Sequence, residues 1–135
     1  IMQVFDGFIA AIASELKIKF HKTEEGHYST KIDFDNNRAQ EVLISLAKDE
    51  SGDRVIHYYS AIAGLKEDSA ELYKFALKTN ATLEYGAIAL TGKSLILRSS
   101  MLLKNCEPER FIKSLFYIAA KADELEEELT GRDKN

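Results

Sequence analysis

The sequence contains one cysteine, no apolar run approaching the roughly twenty residues that span a bilayer, and no concentrated basic stretch. A lone cysteine cannot close an internal disulfide, which excludes a cystine-stapled fold. Cys106 is followed by Glu107 and Glu109, whose charges oppose a thiolate, so it reads as a buried or partly buried bystander and not as a nucleophile. The early apolar segment is interrupted by Asp6 and Glu15, and no Lys or Arg precedes it. It therefore lacks the charged start and unbroken core of a secretory leader. Met2, after Ile1, reads as the natural start. These absences point to a cytoplasmic protein with no membrane partner.

Eighteen Lys and Arg against twenty-two Asp and Glu leave a net charge of −4, and the lysines are scattered singly. Such a surface repels a phosphate backbone, so nucleic acid is not an expected partner. Tyr73-Lys74-Phe75 joins aromatic and basic residues, but within a helical pattern and without the glycine-flanked strand of an RNA-reading sheet. There is no internal repeat, linker or low-complexity segment, and 135 residues suit one domain, expected over 1–130. The final "GRDKN", 131–135, reads as a disordered tail.

What is present is periodicity. Val4, Phe5, Phe8, Ile9, Ile12 and Leu16 follow helical spacing, predicting a first helix over 3–15 that the polar stretch "HKTEEGHYS" ends. From Tyr28 the period becomes two, with Thr30, Ile32 and Phe34 alternating against Lys31, Asp33 and Asp35. "DNNR" reads as a turn, because Asn and Asp tolerate left-handed backbone. Alternation resumes over 40–48, and a third strand follows "ESGD" over 54–65. Asp68 with Glu71 resembles a capping box opening a second helix that stops near Asn80. "YGAIAL" and "SLILRSSMLL" flank a "TGK" hairpin turn, and Pro108 suits the first turn of a long third helix. That helix repeats Phe111, Leu115, Ile118, Ala122, Leu125 and Leu129 on one stripe. Its end, "DELEEEL", reads as a solvated terminus whose acids oppose the helix dipole and which frays unless packing holds it. The expected class is α+β, in the order α-β-β-β-α-β-β-α, with helices against a mainly antiparallel five-stranded sheet.

No catalytic constellation emerges, and no metal or cofactor is expected. "GAIALTGKS" misses the phosphate-loop register, since six steps separate Gly86 from Gly92 where five are needed, and it reads as a hairpin. His21, His27 and His57 have no ligand-like spacing, and His57 beside Tyr58 and Tyr59 reads as a strand residue. Ser99 or Ser100 could join a Ser–His–acid set, yet no strained G-x-S-x-G turn supports it. Asp33 and Asp35 lack the glycine and distal glutamate of a calcium loop and read as a solvated face.

"LKIKFHKTEEGHYSTKIDFD" resembles the helix exit and first strand of the class I type III secretion chaperones, the Tir-chaperone family. The second half, "LYKFALKTNATLEYGAIALTGKSLILRSSMLLKN" followed by "FIKSLFYIAAKADELEEEL", is similar to the YbjN domain family, which shares that chaperone-like fold. The resemblance implies a small, acidic, non-enzymatic protein that forms a homodimer and holds an extended segment of a partner protein without nucleotide. The alternative is a self-associating structural or regulatory domain of the YbjN type with no peptide client. If Ile32, Val42, Ile44, Leu95 and Leu97 face the helices, the opposite face carries Leu43, His57, Tyr59, Ile96 and Arg98. That mixed apolar and aromatic face is expected to be a dimer interface, a helix-shielded surface or a partner groove.

Overall fold

A computed structural model describes residues 2–133, with side chains for 2–130. The elements are α1 (Met2–Leu16), β1 (His21–Glu24), β2 (His27–Asp33), β3 (Ala39–Lys48), β4 (Arg54–Gly64), α2 (Ala70–Asn80), β5 (Ala87–Thr91), β6 (Ser94–Leu102) and α3 (Pro108–Asp133). The strands form one sheet in the order β1-β2-β3-β4-β6-β5, every neighbouring pair antiparallel. The expected α+β class is observed, with six strands among the described residues in place of five. The added strand is β1, "HKTE", all four residues exposed. It buries no face, so it leaves no alternation to read. Gly26 closes the β1–β2 turn at φ +77, where a residue without Cβ is favoured.

α1 and α3 cover one face of the sheet. Phe5, Ile9 and Ile12 of α1 and the α3 stripe at Phe111, Leu115, Ile118, Ala122 and Leu125 are buried against Val42, Ile44, Ile56, Tyr58, Ile62, Leu95 and Leu97. The helical period in sequence thus becomes the seam between layers. Phe111 sits at the junction, edge-on to Tyr58 at 5.1 Å and to Phe8 at 5.6 Å. Burying such a ring is worth about 2–3 kcal/mol, so this contact alone outweighs many surface ion pairs. The Tyr58 hydroxyl lies 2.6 Å from Ser114 Oγ, which lets a phenol enter the core with its polar end satisfied.

The β3–β4 backbone ladder runs from Leu43–Tyr59 to Lys48–Arg54. Beyond it side chains bridge the two strands. Ser60 Oγ donates to the Glu41 carbonyl at 2.6 Å, and the Gln40 amide donates to the Ala61 carbonyl. The β2–β3 turn places Asn37 at φ +62, as "DNNR" predicts. α2 begins one residue later than the expected box: Ser69 is the cap, accepting from Leu72 N at 3.2 Å. Asp68 instead accepts from the Tyr73 hydroxyl at 2.8 Å. α3 continues through Asp133, so the first three residues of the expected tail are helical, while 134–135 lie outside the described residues.

The acidic end of α3 departs from its expected role as a plain solvated terminus. Arg38, from the β2–β3 turn, donates through Nε to Asp123 at 2.8 Å and through Nη2 to Glu126 at 2.9 Å, with Glu127 at 3.6 Å. Asp123 is buried. A cation brought from the β2–β3 turn neutralises acids clustered along α3, and the pairing to Asp123 raises the Arg38 pKa.

Tyr28 ties α1 to β2. Its hydroxyl donates to Asp6 at 2.6 Å, and Lys22 reaches the other Asp6 oxygen at 3.2 Å. Burial first, then the Asp6 bond, pushes the Tyr28 phenol from 10.0 to about 12. The folded state therefore holds the phenolic proton more tightly than the unfolded chain. Its contribution is complete below pH 10 and is lost as pH rises toward about 12. Alkaline unfolding followed by circular dichroism should show stability falling across that interval, and Tyr28→Phe should flatten the fall.

Gly86 combines φ +72 with crowding, because a Cβ there would lie 2.6 Å from the Arg98 carbonyl oxygen and 2.7 Å from Ile118 Cδ1. Gly92, at φ +58 in the β5–β6 turn, has nothing within 4 Å of such an atom. Gly86→Ala should therefore cost about 3 kcal/mol and Gly92→Ala about 1 kcal/mol, the difference being steric. Thermal melts should show Tm lowered by about 10 °C and about 3 °C respectively.

Candidate functional site

The face of the sheet turned away from α1 and α3 is the candidate site. Cross-strand register assembles it in rows. Ser29, Leu43, Tyr59, Arg98 and Ala87 are successive partners across β2, β3, β4, β6 and β5. His27, Ser45, His57 and Ser100 form a second row, and Ala61, Ile96 and Ala89 a third. The five residues expected on this face, Leu43, His57, Tyr59, Ile96 and Arg98, are thus brought together on three neighbouring strands. Alternation along a strand dictates the side each takes, and pairing dictates their adjacency. Ile96 is buried; the other four are half-buried.

Val55 and Leu102 extend the apolar surface at one end, opposite each other in the β4–β6 ladder. Leu102 is 51% exposed, a large apolar side chain left to solvent at a strand end. A shallow groove runs past Val55, His57, Ser100 and Leu102. A concavity of about 210 Å³ lies beside Leu43, Ser45 and Tyr59 near His27. Another, of about 220 Å³, lies away from this face between the β4–α2 loop and the β5–β6 turn. Its Asp68 and Tyr73 already bond each other.

At the centre, Arg98 Nη2 and His57 Nδ1 are 3.1 Å apart. A guanidinium only donates, so Nδ1 accepts and the ring proton lies on Nε2. Among the described residues no carboxylate pairs with Arg98. Ser100 faces His57 across the ladder, but among the described residues no hydrogen bond joins them and no acid orients the imidazole. Ser99 pairs with Tyr58 on the helix-covered side. Gly86 and Gly92 flank opposite ends of β5, so their amides cannot wrap one phosphate. Asp33 pairs with Lys31 at 3.8 Å, and Asp35 lies beyond the end of β2. Among the described residues no group of three His, Cys, Asp or Glu is arranged to hold a metal. Cys106 is partly buried with its thiol 3.3 Å from Met101 Sδ, and burial raises its pKa. No helix among the described residues is long and apolar enough to cross a membrane.

An extended segment can be held in two ways, by seating its side chains on a surface or by adding it to a sheet edge. The edges are guarded. On β5, Asn80 at the end of α2 accepts from Ile88 N at 2.7 Å and donates to Ile88 O at 3.3 Å. Its amide occupies the outward backbone pair that an added strand would need. At the other edge β1 is four residues long, with a register irregularity between Lys22 and Glu24. In the sequence Asn80 reads only as a helix end, because its partner Ile88 is fixed only when the α2–β5 loop folds back.

No protein-family model matches the chain, and no curated protein matches it. Solved structures do. A chain of the ExsC–ExsE complex matches with a TM-score of 0.68 at 11% identity, over 94% of this chain and 94% of that one. A chain of the HopA1–SchA chaperone–effector complex matches with a TM-score of 0.63 at 8% identity, over 93% and 95%. At these identities the likeness is one of fold, and the fold is the type III secretion chaperone-like α+β class expected from the sequence.

Asn80→Ala should leave the Ile88 amide and carbonyl without their partner and lower stability by about 1–3 kcal/mol. It should also produce association that grows with protein concentration, measured by light scattering, as the β5 edge becomes available.

Proposed function

We propose that the chain is a non-enzymatic, chaperone-like module that holds an extended segment of a partner protein on the uncovered face of its sheet. The observation that carries this reading is the fold match, over nearly the whole chain, to a chain of a chaperone–effector complex. The uncovered face supplies the surface. An extended segment projects side chains to one side about every 6.6 Å, the same repeat that the face itself presents along each strand. Its apolar side chains would cover Leu43, Tyr59 and Leu102, while the guarded edges favour seating over strand addition. Covering the apolar area these side chains still expose removes it from water and needs no covalent chemistry. The protein acts as a homodimer in the cytoplasm, and no cofactor is needed.

The test uses tagged full-length protein and the Leu43→Ser/Tyr59→Ser double variant in an extract of its own cells. Wild type should recover a stoichiometric protein partner, and the variant should recover it at least tenfold less while keeping its circular dichroism spectrum and Tm. Equal recovery by both would remove the face from the reading. A wild-type dimer that the variant dissociates, with no partner recovered by either, would instead favour the self-associating domain of the YbjN type.

A further inference from the structure

The geometry points to Arg98 as the receptor for an acidic side chain of the held segment. This inference rests on the protein-binding reading and adds a requirement about partner sequence. On the open face of β3, β4, β6 and β5 the Asp, Glu, Lys and Arg residues are Glu41 and Arg98 alone. Glu41 has Lys31 opposite it on β2. Among the described residues Arg98 meets His57 Nδ1 and no carboxylate, in a chain whose net charge is −4.

Its surroundings leave it open to a ligand. Ala87 is its neighbour on one side, Tyr59 on the other, and Ile96 and Ser100 lie two residues away along β6. The small Ala87 and Ser100 side chains flank it, and Arg98 is only partly buried. Covering this face with an apolar segment alone would strip water from a cation and return nothing. A carboxylate returns a charge-assisted, bidentate pair, the strongest partner available to a planar guanidinium. The β6 spacing then sets the pattern. Ile96, Arg98, Ser100 and Leu102 face outward at steps of two, matching a segment with an apolar residue two positions from an Asp or Glu and a second apolar residue four positions beyond the acid.

The same charge argues against a second copy as the direct occupant. A two-fold contact centred on Arg98 would set guanidinium against guanidinium, because an isologous interface pairs each patch with itself.

The test selects a phage-displayed library of random 12-residue segments on the immobilised full-length protein. Binding of the consensus peptide and its Asp→Lys version is then measured by fluorescence polarisation to wild type, Arg98→Gln and Arg98→Glu. Selected segments should carry Asp or Glu two positions from an apolar residue. Arg98→Glu should weaken the acidic peptide at least tenfold, and the Lys version should regain binding to Arg98→Glu, a rescue that a merely structural role for Arg98 cannot give. Apolar segments selected without an acid, or affinity unchanged by Arg98→Glu, would overturn this inference and leave the protein-binding reading standing. Failure to select any segment would overturn both, as would a wild-type dimer in sedimentation that Arg98→Glu dissociates while no peptide binds.

Discussion

The contact on which the other contacts converge is the docking of α3 on β4 at Tyr58. That side chain is fully buried, meets Phe111 edge-on at 5.1 Å and reaches Ser114 Oγ at 2.6 Å. Phe111 and Ser114 lie three apart on α3, so the ring and the hydroxyl together fix the helix in both rotation and height. α1 joins through Phe8 on Phe111 and through Tyr28 on Asp6. With the helices α1 and α3 committed to one side, neither of them covers the other side of the sheet, and the candidate site exists as a consequence of how the core was closed.

Edges and face are treated in opposite ways. Asn80 occupies the exposed backbone of β5 and β1 is short and irregular, so the backbone groups that invite indiscriminate pairing are blunted. The face away from α1 and α3 keeps apolar and aromatic side chains around Arg98. Side chains discriminate between partners in a way that backbone amides do not. On the proposed function, the arrangement would favour recognition of sequence over capture of any free strand.

Much of this was legible in the sequence because it depends on period alone. Period two assigns Leu43, Tyr59, Ile96 and Arg98 to one side and Val42, Ile44 and Leu97 to the other, and period 3.6 assigns the α3 stripe. What escaped depends on residues far apart in the chain. Arg38 meets Asp123 across 85 positions, which turned an acid-rich helix end expected to be solvated into an anchored one. β1 buries nothing and so has no pattern. The cap fell on Ser69 because either neighbouring oxygen could serve, and Asp68 is instead engaged by Tyr73. The resemblance to secretion chaperones found the fold, whereas the cross-strand rows required the register.

The distribution of those long-range contacts has a consequence for the order in which the molecule assembles. β1 to β4 are consecutive neighbours in both chain and sheet, while β4 next pairs with β6 and only then receives α3. On a ribosome adding about 5–20 residues each second, the four-stranded meander is complete some seconds before α3 emerges. During that wait Val42, Ile44, Ile56 and Tyr58 have only α1 to shelter them. The nascent sheet is for that time only half covered on its core side, and its most aggregation-prone moment comes before α3 arrives.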